Sequence, residues 1–350
     1  VKASSFRKTQ AQQIILVTGA GGCIGSALVQ ALASSDSNFL VLLDHSEQNL
    51  YEINQKLAAC GHQAHVSILG DLLDGSLLRE IFVHYHPDTI YHAAAFKHVP
   101  LMESNPLAAV RNNAIGTWEL SKVAARFEVG SLLLISTDKA VNPASIMGVS
   151  KRVAELALLA IPHSKTRMNA LRLGNVLGSR GSVAPLFQQQ IASGGPVRVT
   201  HPDAKRYFLT LGETVDLIST ASSLEDSGGI FIPKLNAAVK ILDLAKSMIH
   251  EARLETPGDI GIVLTGLRPG DKLEEELVFA QEVLEPTAVG NLQRVKHFDV
   301  DIEALDAALA RISECVEVRN LALLLDELAK LVPEYKPSET VLGLLNPLLA

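Results

Sequence analysis

Short apolar runs recur along the first half of the chain, and between them lie stretches whose apolar positions fall three or four residues apart. Runs of the first kind suit buried strands, and stretches of the second kind suit amphipathic helices. The pattern predicts strands over Ile14–Thr18, Leu40–Leu43, His65–Leu69, Thr89–His92, Ser131–Ile135 and Met168–Arg172. It predicts helices over Ser26–Ala33, Gln48–Ala59, Leu77–Tyr85, Leu107–Phe127 and Val149–Leu159.

Strands alternating with helices at this spacing indicate an α/β fold with a doubly wound parallel sheet of the Rossmann type. Residues 1–12 read as a polar, basic arm and 13–174 as the nucleotide-binding domain. Residues 175–295 are richer in Gly and Pro and mix short strands with helices, which suits a smaller α/β substrate lobe interleaved with the first domain. Residues 296–350 form a helical extension. Within it Ile302, Leu305, Leu309 and Ile312 make one apolar stripe, and Leu321, Leu325 and Leu328 another. These stripes are expected to pack against the chain or to join copies of it in a homo-oligomer.

Composition narrows the class. Apolar residues make up 47% of the 350 residues and charged ones 20%, which suits a packed globular chain. Net charge is -7, and no basic stripe is present, so nucleic acid is not an expected partner. Cys23, Cys60 and Cys315 lie far apart, and the eleven histidines show no metal-ligand spacing. No metal site is expected, and the cysteines suit a reducing compartment, the cytoplasm. The chain begins at Val1, which leaves room for an upstream membrane segment, with these residues as its cytoplasmic domain.

The first strand runs into T-G-A-G-G-C-I-G, residues 18–25, with Gly19, Gly22 and Gly25 in G-x-x-G-x-x-G spacing. Between a strand and a helix, such a loop lets the backbone approach a pyrophosphate at the helix N-terminus. Asp44 ends the second strand, where a carboxylate can accept both ribose hydroxyls and repel a 2′-phosphate. His45 and Ser46 follow it and no Arg does, so NAD is expected over NADP. Asp44 would otherwise serve as a helix cap. Asp71, at the third strand end, suits the adenine amine or a plain turn. Ala93, Ala94 and Ala95 are small enough for a cofactor to pass closely.

The fifth strand ends in S-T-D-K, placing an acid, Asp138, beside an amine, Lys139, with Lys151 twelve residues on. Sites in doubly wound sheets form beyond the carboxyl ends of strands. A surface turn with an ordinary Asp-Lys pair is the alternative. A lysine acts as a base only if its pKa is lowered, by burial or nearby positive charge, for which Lys151 is a candidate. Arg172, Arg180, Arg206 and Arg268 are spread through the second half, each suited to phosphate or to a surface ion pair.

Several blocks resemble the bacterial UDP-N-acetylglucosamine 4,6-dehydratases, a branch of the extended short-chain dehydrogenase/reductases. They are TGAGGCIG (18–25), AAAFKHVPLMESNP (93–106), NNAIGT (112–117), STDKAVNP (136–143), RLGNVLGSRGSVAPLF (172–187) and GLRPGDKLEEEL (266–277). The resemblance implies a nicotinamide cofactor reduced and reoxidised in each turnover, and a UDP-4-keto-6-deoxy-N-acetylhexosamine product. It implies Lys139 as base at C5, Asp138 as acid at the C6 hydroxyl, Thr137 at the 4-hydroxyl and Lys151 on the nicotinamide ribose. Cofactor contacts are implied for Gly19, Gly22, Cys23, Ile24, Gly25, Asp44, Asp71, Leu72, Ala93, Ala94, Ala95, Asn113 and Lys151. Asn175, Arg206 and Arg268 would hold UDP, Ser182 and Val183 would line the site, and Lys97 and His98 would touch substrate. One position departs from the superfamily. Its catalytic Tyr, four residues before the Lys, is Met147 here, and a thioether cannot relay a proton. In the resembling family Met at this place goes mostly with retention at C5. A UDP-sugar 4-epimerase and a catalytically silent NAD-binding regulator are the competing expectations.

Overall fold

The computed structural model describes residues 12–161, 165–179, 181–255, 260–296 and 301–345. Of the arm expected over residues 1–12 only Gln12 falls within these ranges, and Arg180 lies outside them.

The apolar runs become strands β1 (Gln13–Thr18), β2 (Asn38–Asp44), β3 (His65–Leu69), β4 (Thr89–His92), β5 (Ser131–Thr137) and β6 (Arg167–Leu173). They pair in parallel in the order β3-β2-β1-β4-β5-β6. β1, β4 and β5 are buried almost throughout, as helices on both faces of a parallel sheet require. The strand order reverses between β1 and β4, so their carboxyl ends open a crevice there.

The sheet continues past β6 with three strands from the second half of the chain. Ile230–Pro233 adds in parallel, then Leu292–Val295 and Leu284–Pro286 add antiparallel. Another part of that half builds a small core of its own, with Phe187, Val197, Val199, Ile241 and Ile249 buried together. There Val197–Val199 pairs with Ile262–Leu264.

Helix boundaries differ from the sequence pattern in ways that matter to the site. The helix expected from Leu107 is α-helical over Pro106–Val110, widens to a π-helix over Arg111–Ile115, and returns to α over Gly116–Arg126. The helix expected from Val149 starts at Ile146, because the Ser145 hydroxyl accepts from the Gly148 N–H at 3.0 Å. Met147 therefore lies in the first helical turn.

The C-terminal helices Ile302–Glu317 and Leu321–Leu331 turn their stripes inward. Leu305, Leu309, Ile312, Leu324 and Leu328 share one core with Val99, Met102, Ile115, Ile146 and Met147. Of the two roles expected for these faces, packing against the chain is the one seen, with Ile302 alone of the first stripe left exposed. No helix among the described residues is long and apolar enough to cross a membrane.

A buried ionic network fastens β6 to this assembly. Arg172 is fully buried and pairs with both oxygens of Glu155, each at 2.9 Å, and with both of Glu282, at 2.6 and 2.8 Å. It also donates to the Leu277 carbonyl at 2.9 Å. Arg172 is therefore spent on holding helix, strand and loop together and is not a phosphate ligand. Burial works against the Glu155 charge, yet Arg172 and Arg152 hold its pKa down at about 2.

Candidate active site

The crevice at β1 and β4 has the shape of a dinucleotide cradle. Gly19 has φ +66, and a Cβ there would meet Ala94 Cα at 2.7 Å. A Cβ on Gly25 would lie 2.1 Å from the Gly19 carbonyl oxygen. The helix that follows begins at Cys23, with Gly22 as its cap, so its first N–H groups face the loop. Asp44 is buried and fixes this loop: Oδ2 accepts from the Gly21 N–H at 3.0 Å and Oδ1 from the Ser46 N–H at 2.9 Å. A carboxylate has further lone pairs, so both oxygens remain able to accept ribose hydroxyls. These residues fit a dinucleotide. A Gly19→Ala variant is expected to lose bound dinucleotide, read from absorbance of the purified protein. Gly61→Ala is the control for backbone strain alone, since Gly61 has φ +76 but open space around its Cβ.

Beside this end lies a cavity of ≈ 660 Å³ lined by His45, Asp71, Phe96 and Arg111 on one side and Val316, Arg319 and Leu321 on the other. Asp71 is half exposed. It accepts from the Leu73 N–H at 2.9 Å and pairs with Arg111 at 3.4 Å. No Arg directly follows Asp44 in sequence, but Arg111 lines the same cavity as the next residue, His45. Leu72 is buried against Gly116, and Ile24 packs into the core.

Asn113 sits in the π-helical turn and is fully buried. It accepts from the Phe96 N–H at 2.8 Å and donates to the Phe96 carbonyl at 3.0 Å and the Ser150 hydroxyl at 2.9 Å. Its side chain holds the loop after β4 against the Ile146–Leu159 helix. Lys151, four residues below Met147, is 4% exposed and donates to the Ile135 carbonyl at 2.7 Å. Burial lowers its pKa to about 8, with Glu155 opposing. Met147 itself is buried in the apolar core beneath the C-terminal helices. Behind the cradle, His92 bridges the hydroxyls of Thr18 at 2.7 Å and Thr117 at 2.9 Å. Burial, helped by the Lys151 charge, pushes its pKa down to about 3, so it stays neutral.

The acid and the amine at the end of β5 do meet. Residues 138–140 form a single 3₁₀ turn. Asp138 is fully buried, and its Oδ1 accepts from Lys139 Nζ and from the Thr137 hydroxyl, both at 2.9 Å. Lys139 also donates to Asn175 Oδ1 at 2.9 Å, which brings one of the expected UDP residues to the same point. Asp138 Oδ2 has no hydrogen-bond partner among the described groups. A buried carboxylate oxygen left without a partner suits a ligand hydroxyl.

The charge on Lys139 differs from the expectation of a lowered pKa. Burial does push the amine down, but Asp138 and Glu275 outweigh it and raise its pKa. Glu275 lies in the GLRPGDKLEEEL block without a role assigned to it there; it is the middle of three glutamates in K-L-E-E-E-L. It reaches Lys139 because Arg206 donates to the Lys272 carbonyl at 2.8 Å and the Leu273 carbonyl at 3.1 Å, and Lys272 donates to the Val141 carbonyl at 2.9 Å. Most of the Arg206 guanidinium is therefore engaged with backbone. Arg268 is more open, with its side chain 56% exposed and paired with Asp271 at 2.8 Å. A Cβ on Gly181 would meet the His98 ring at 2.5 Å, so His98 lies beside Ser182 and Val183. Lys97 is exposed next to it, and the Ser182 hydroxyl is buried with no hydrogen-bond partner among the described residues. Among the described residues no three His, Cys, Asp or Glu side chains could hold a metal ion.

The model of the family described as "Polysaccharide biosynthesis protein" matches residues 15–297, which takes in the cradle, the Asp138–Lys139 turn and the 268–276 segment. The chain belongs to that family. It is 43% identical over 297 residues to the capsular polysaccharide biosynthesis protein CapD of Staphylococcus aureus, covering 82% of this chain and 49% of CapD. It thus spans about half the length of that relative. It is 30% identical over 295 residues to a UDP-glucose 4-epimerase of Rickettsia bellii, covering 80% of this chain and 82% of the epimerase. Among solved structures, Pen from Bacillus thuringiensis superposes with a TM-score of 0.73 at 27% identity, covering 84% of this chain and 90% of Pen.

Proposed function

We propose that the chain catalyses the NAD-dependent 4,6-dehydration of UDP-N-acetylglucosamine to a UDP-4-keto-6-deoxy-N-acetylhexosamine, with retention at C5, for bacterial surface polysaccharide or glycan synthesis. The observation that carries the reading is the buried Asp138 bonded to Lys139 at 2.9 Å, with one carboxylate oxygen unpartnered. Gly19, Gly22, Gly25 and Asp44 would hold NAD, which would supply transient oxidation at C4 and return the hydride to C6. A ketone at C4 acidifies the C5 proton. Elimination then needs a base at C5 and an acid at the C6 oxygen, on adjacent carbons.

One proton shared along the Asp138–Lys139 hydrogen bond serves this need. In the free site it rests on the amine, as the raised Lys139 pKa implies. Shifted to Asp138, it leaves a neutral amine that accepts the C5 proton and a carboxylic acid that protonates the departing hydroxyl. Water is lost, Lys139 returns its proton to C5, and the proton that the 4-hydroxyl gives up on oxidation replaces the one spent on water, so the pair ends the cycle as it began. Thr137, bonded to Asp138, is assigned to the 4-hydroxyl. Arg206, Arg268 and Asn175 are assigned to UDP.

A UDP-sugar 4-epimerase is the second reading, favoured by the Rickettsia relative. Epimerisation needs the C4 oxidation but no acid–base pair at C5 and C6. Incubation with UDP-N-acetylglucosamine in deuterated water separates the two by NMR. Dehydration puts deuterium at C5 and creates a C6 methyl group. A C4 epimer without exchange means epimerase, and NAD retained with no turnover means a silent binding protein.

A further inference from the structure

Glu275 has no part in the chemistry above, yet it is the most confined charge around Lys139 apart from Asp138. Its side chain is 3% exposed. One carboxylate oxygen lies 3.6 Å from both Lys139 Nζ and Arg206 Nε, and the other lies 3.6 Å from Lys272 Nζ. These separations are too long for good hydrogen bonds, and Oε2 has no hydrogen-bond partner among the described groups. A carboxylate taken out of water normally needs close partners. Here three cations surround it and none docks on it.

Its neighbours behave otherwise. Glu274 is exposed and pairs with Lys205, and Glu276 accepts from Asn142 at 2.7 Å. Lys205 N–H donates to the Leu273 carbonyl at 2.8 Å, which pins the segment and turns the middle glutamate inward.

We propose that Glu275 is a positioning residue for Lys139, holding the ammonium between itself and Asp138 and joining it to Arg206 and Lys272. The proposal rests on the reading of Lys139 as the reacting amine. Lys139 is faced by Asp138 from its own turn, by Asn175 from beyond β6, and by Glu275 and Arg206 from the second half of the chain. With Glu275 neutral, Asp138 stands alone against three cations. Arg206 keeps its charge at any working pH. Lys272 is bonded to the Val141 carbonyl, so the loss falls chiefly on Lys139.

The test reads Lys139 directly. Acetic anhydride labels neutral amines, and the extent at Lys139 across pH, measured by peptide mass spectrometry against the exposed Lys165, gives its titration midpoint. Glu275→Gln is expected to lower that midpoint by about one pH unit. Glu275→Asp, which keeps the charge, is expected to stay near the parent. The falling limb of kcat at high pH, where the pair loses its shared proton, should move to lower pH in Glu275→Gln by the same amount. An unchanged midpoint in Glu275→Gln overturns the proposal, and so does an equal shift in Glu275→Asp, which would mean packing rather than charge. Labelling needs no turnover, so even a protein that dehydrates no UDP-sugar still shows whether Glu275 sets the Lys139 midpoint. If Glu275→Gln fails to fold, an Asp variant that folds with a lowered midpoint also overturns it.

Discussion

A Lys139→Met variant is expected to lose dehydration of UDP-N-acetylglucosamine by about 10²–10⁴-fold in kcat, the usual contribution of a positioned general base. NAD content should stay at the parent level, because the cradle at Gly19 and Asp44 lies at the ends of β1 and β2, away from the β5 tip that carries this amine. Asp138→Asn should cost a similar factor, and the double variant should be about as slow as either single one. Groups that share one proton act as a unit, so their losses do not add. Single-turnover kinetics with deuterium exchange at C5 checks this. Exchange that survives at the parent rate in Lys139→Met would remove Lys139 from the C5 step.

Arg172→Met is expected to destabilise the fold by about 3–5 kcal/mol, the cost of leaving buried partners of a removed charge unpaired. Glu155 is 1% exposed and would keep only Arg152 and the Ser136 hydroxyl, while Glu282 loses two bonds. A second change, Glu155→Gln, should restore part of the loss, because the stranded charge goes with it. The network also has a pH signature. The Glu155 pKa falls from 4.5 to about 2 on folding. Its contribution is therefore complete above pH 4.5 and fades as pH drops towards 2. Urea unfolding of parent and Arg172→Met across that range should show the gap narrowing with acid. A gap independent of pH would mean that packing, not charge, is lost.

Much of the nucleotide-binding half was legible. β1 to β6 stand where the apolar runs lie, because strands buried on both faces have little freedom in composition. Gly19 and Gly25 were legible because any side chain there meets backbone. The π-helical turn at Asn113 was not, since a single wide turn inside a long helix has no residue signature of its own. Arg172 read as a phosphate candidate because charge alone does not reveal burial; its partners Glu155 and Glu282 lie on a helix and a distant loop. Lys139 misled in the same way. Asp138 is adjacent in sequence, but Glu275, which helps raise the pKa, arrives from the far end of the second half. The C-terminal stripes were visible as apolar, while the surface they cover could only come from the fold.

That covered surface bears on how the protein is made. Glu103 accepts from the Ile146 N–H at 2.7 Å with one oxygen and from the Ser338 hydroxyl with the other, so the start of the helix carrying Met147 and Lys151 is tied to the C-terminal segment. On a ribosome, residues 99–160 emerge well before residues 305–341. At ordinary synthesis speeds the delay is roughly 10–30 s. During that time Val99, Met102, Ile146 and Met147 have a bare apolar flank, and closing it must wait for a contact of long sequence separation. The nascent sheet is thus complete before its flank is sealed, and this interval is where a chaperone would be needed most.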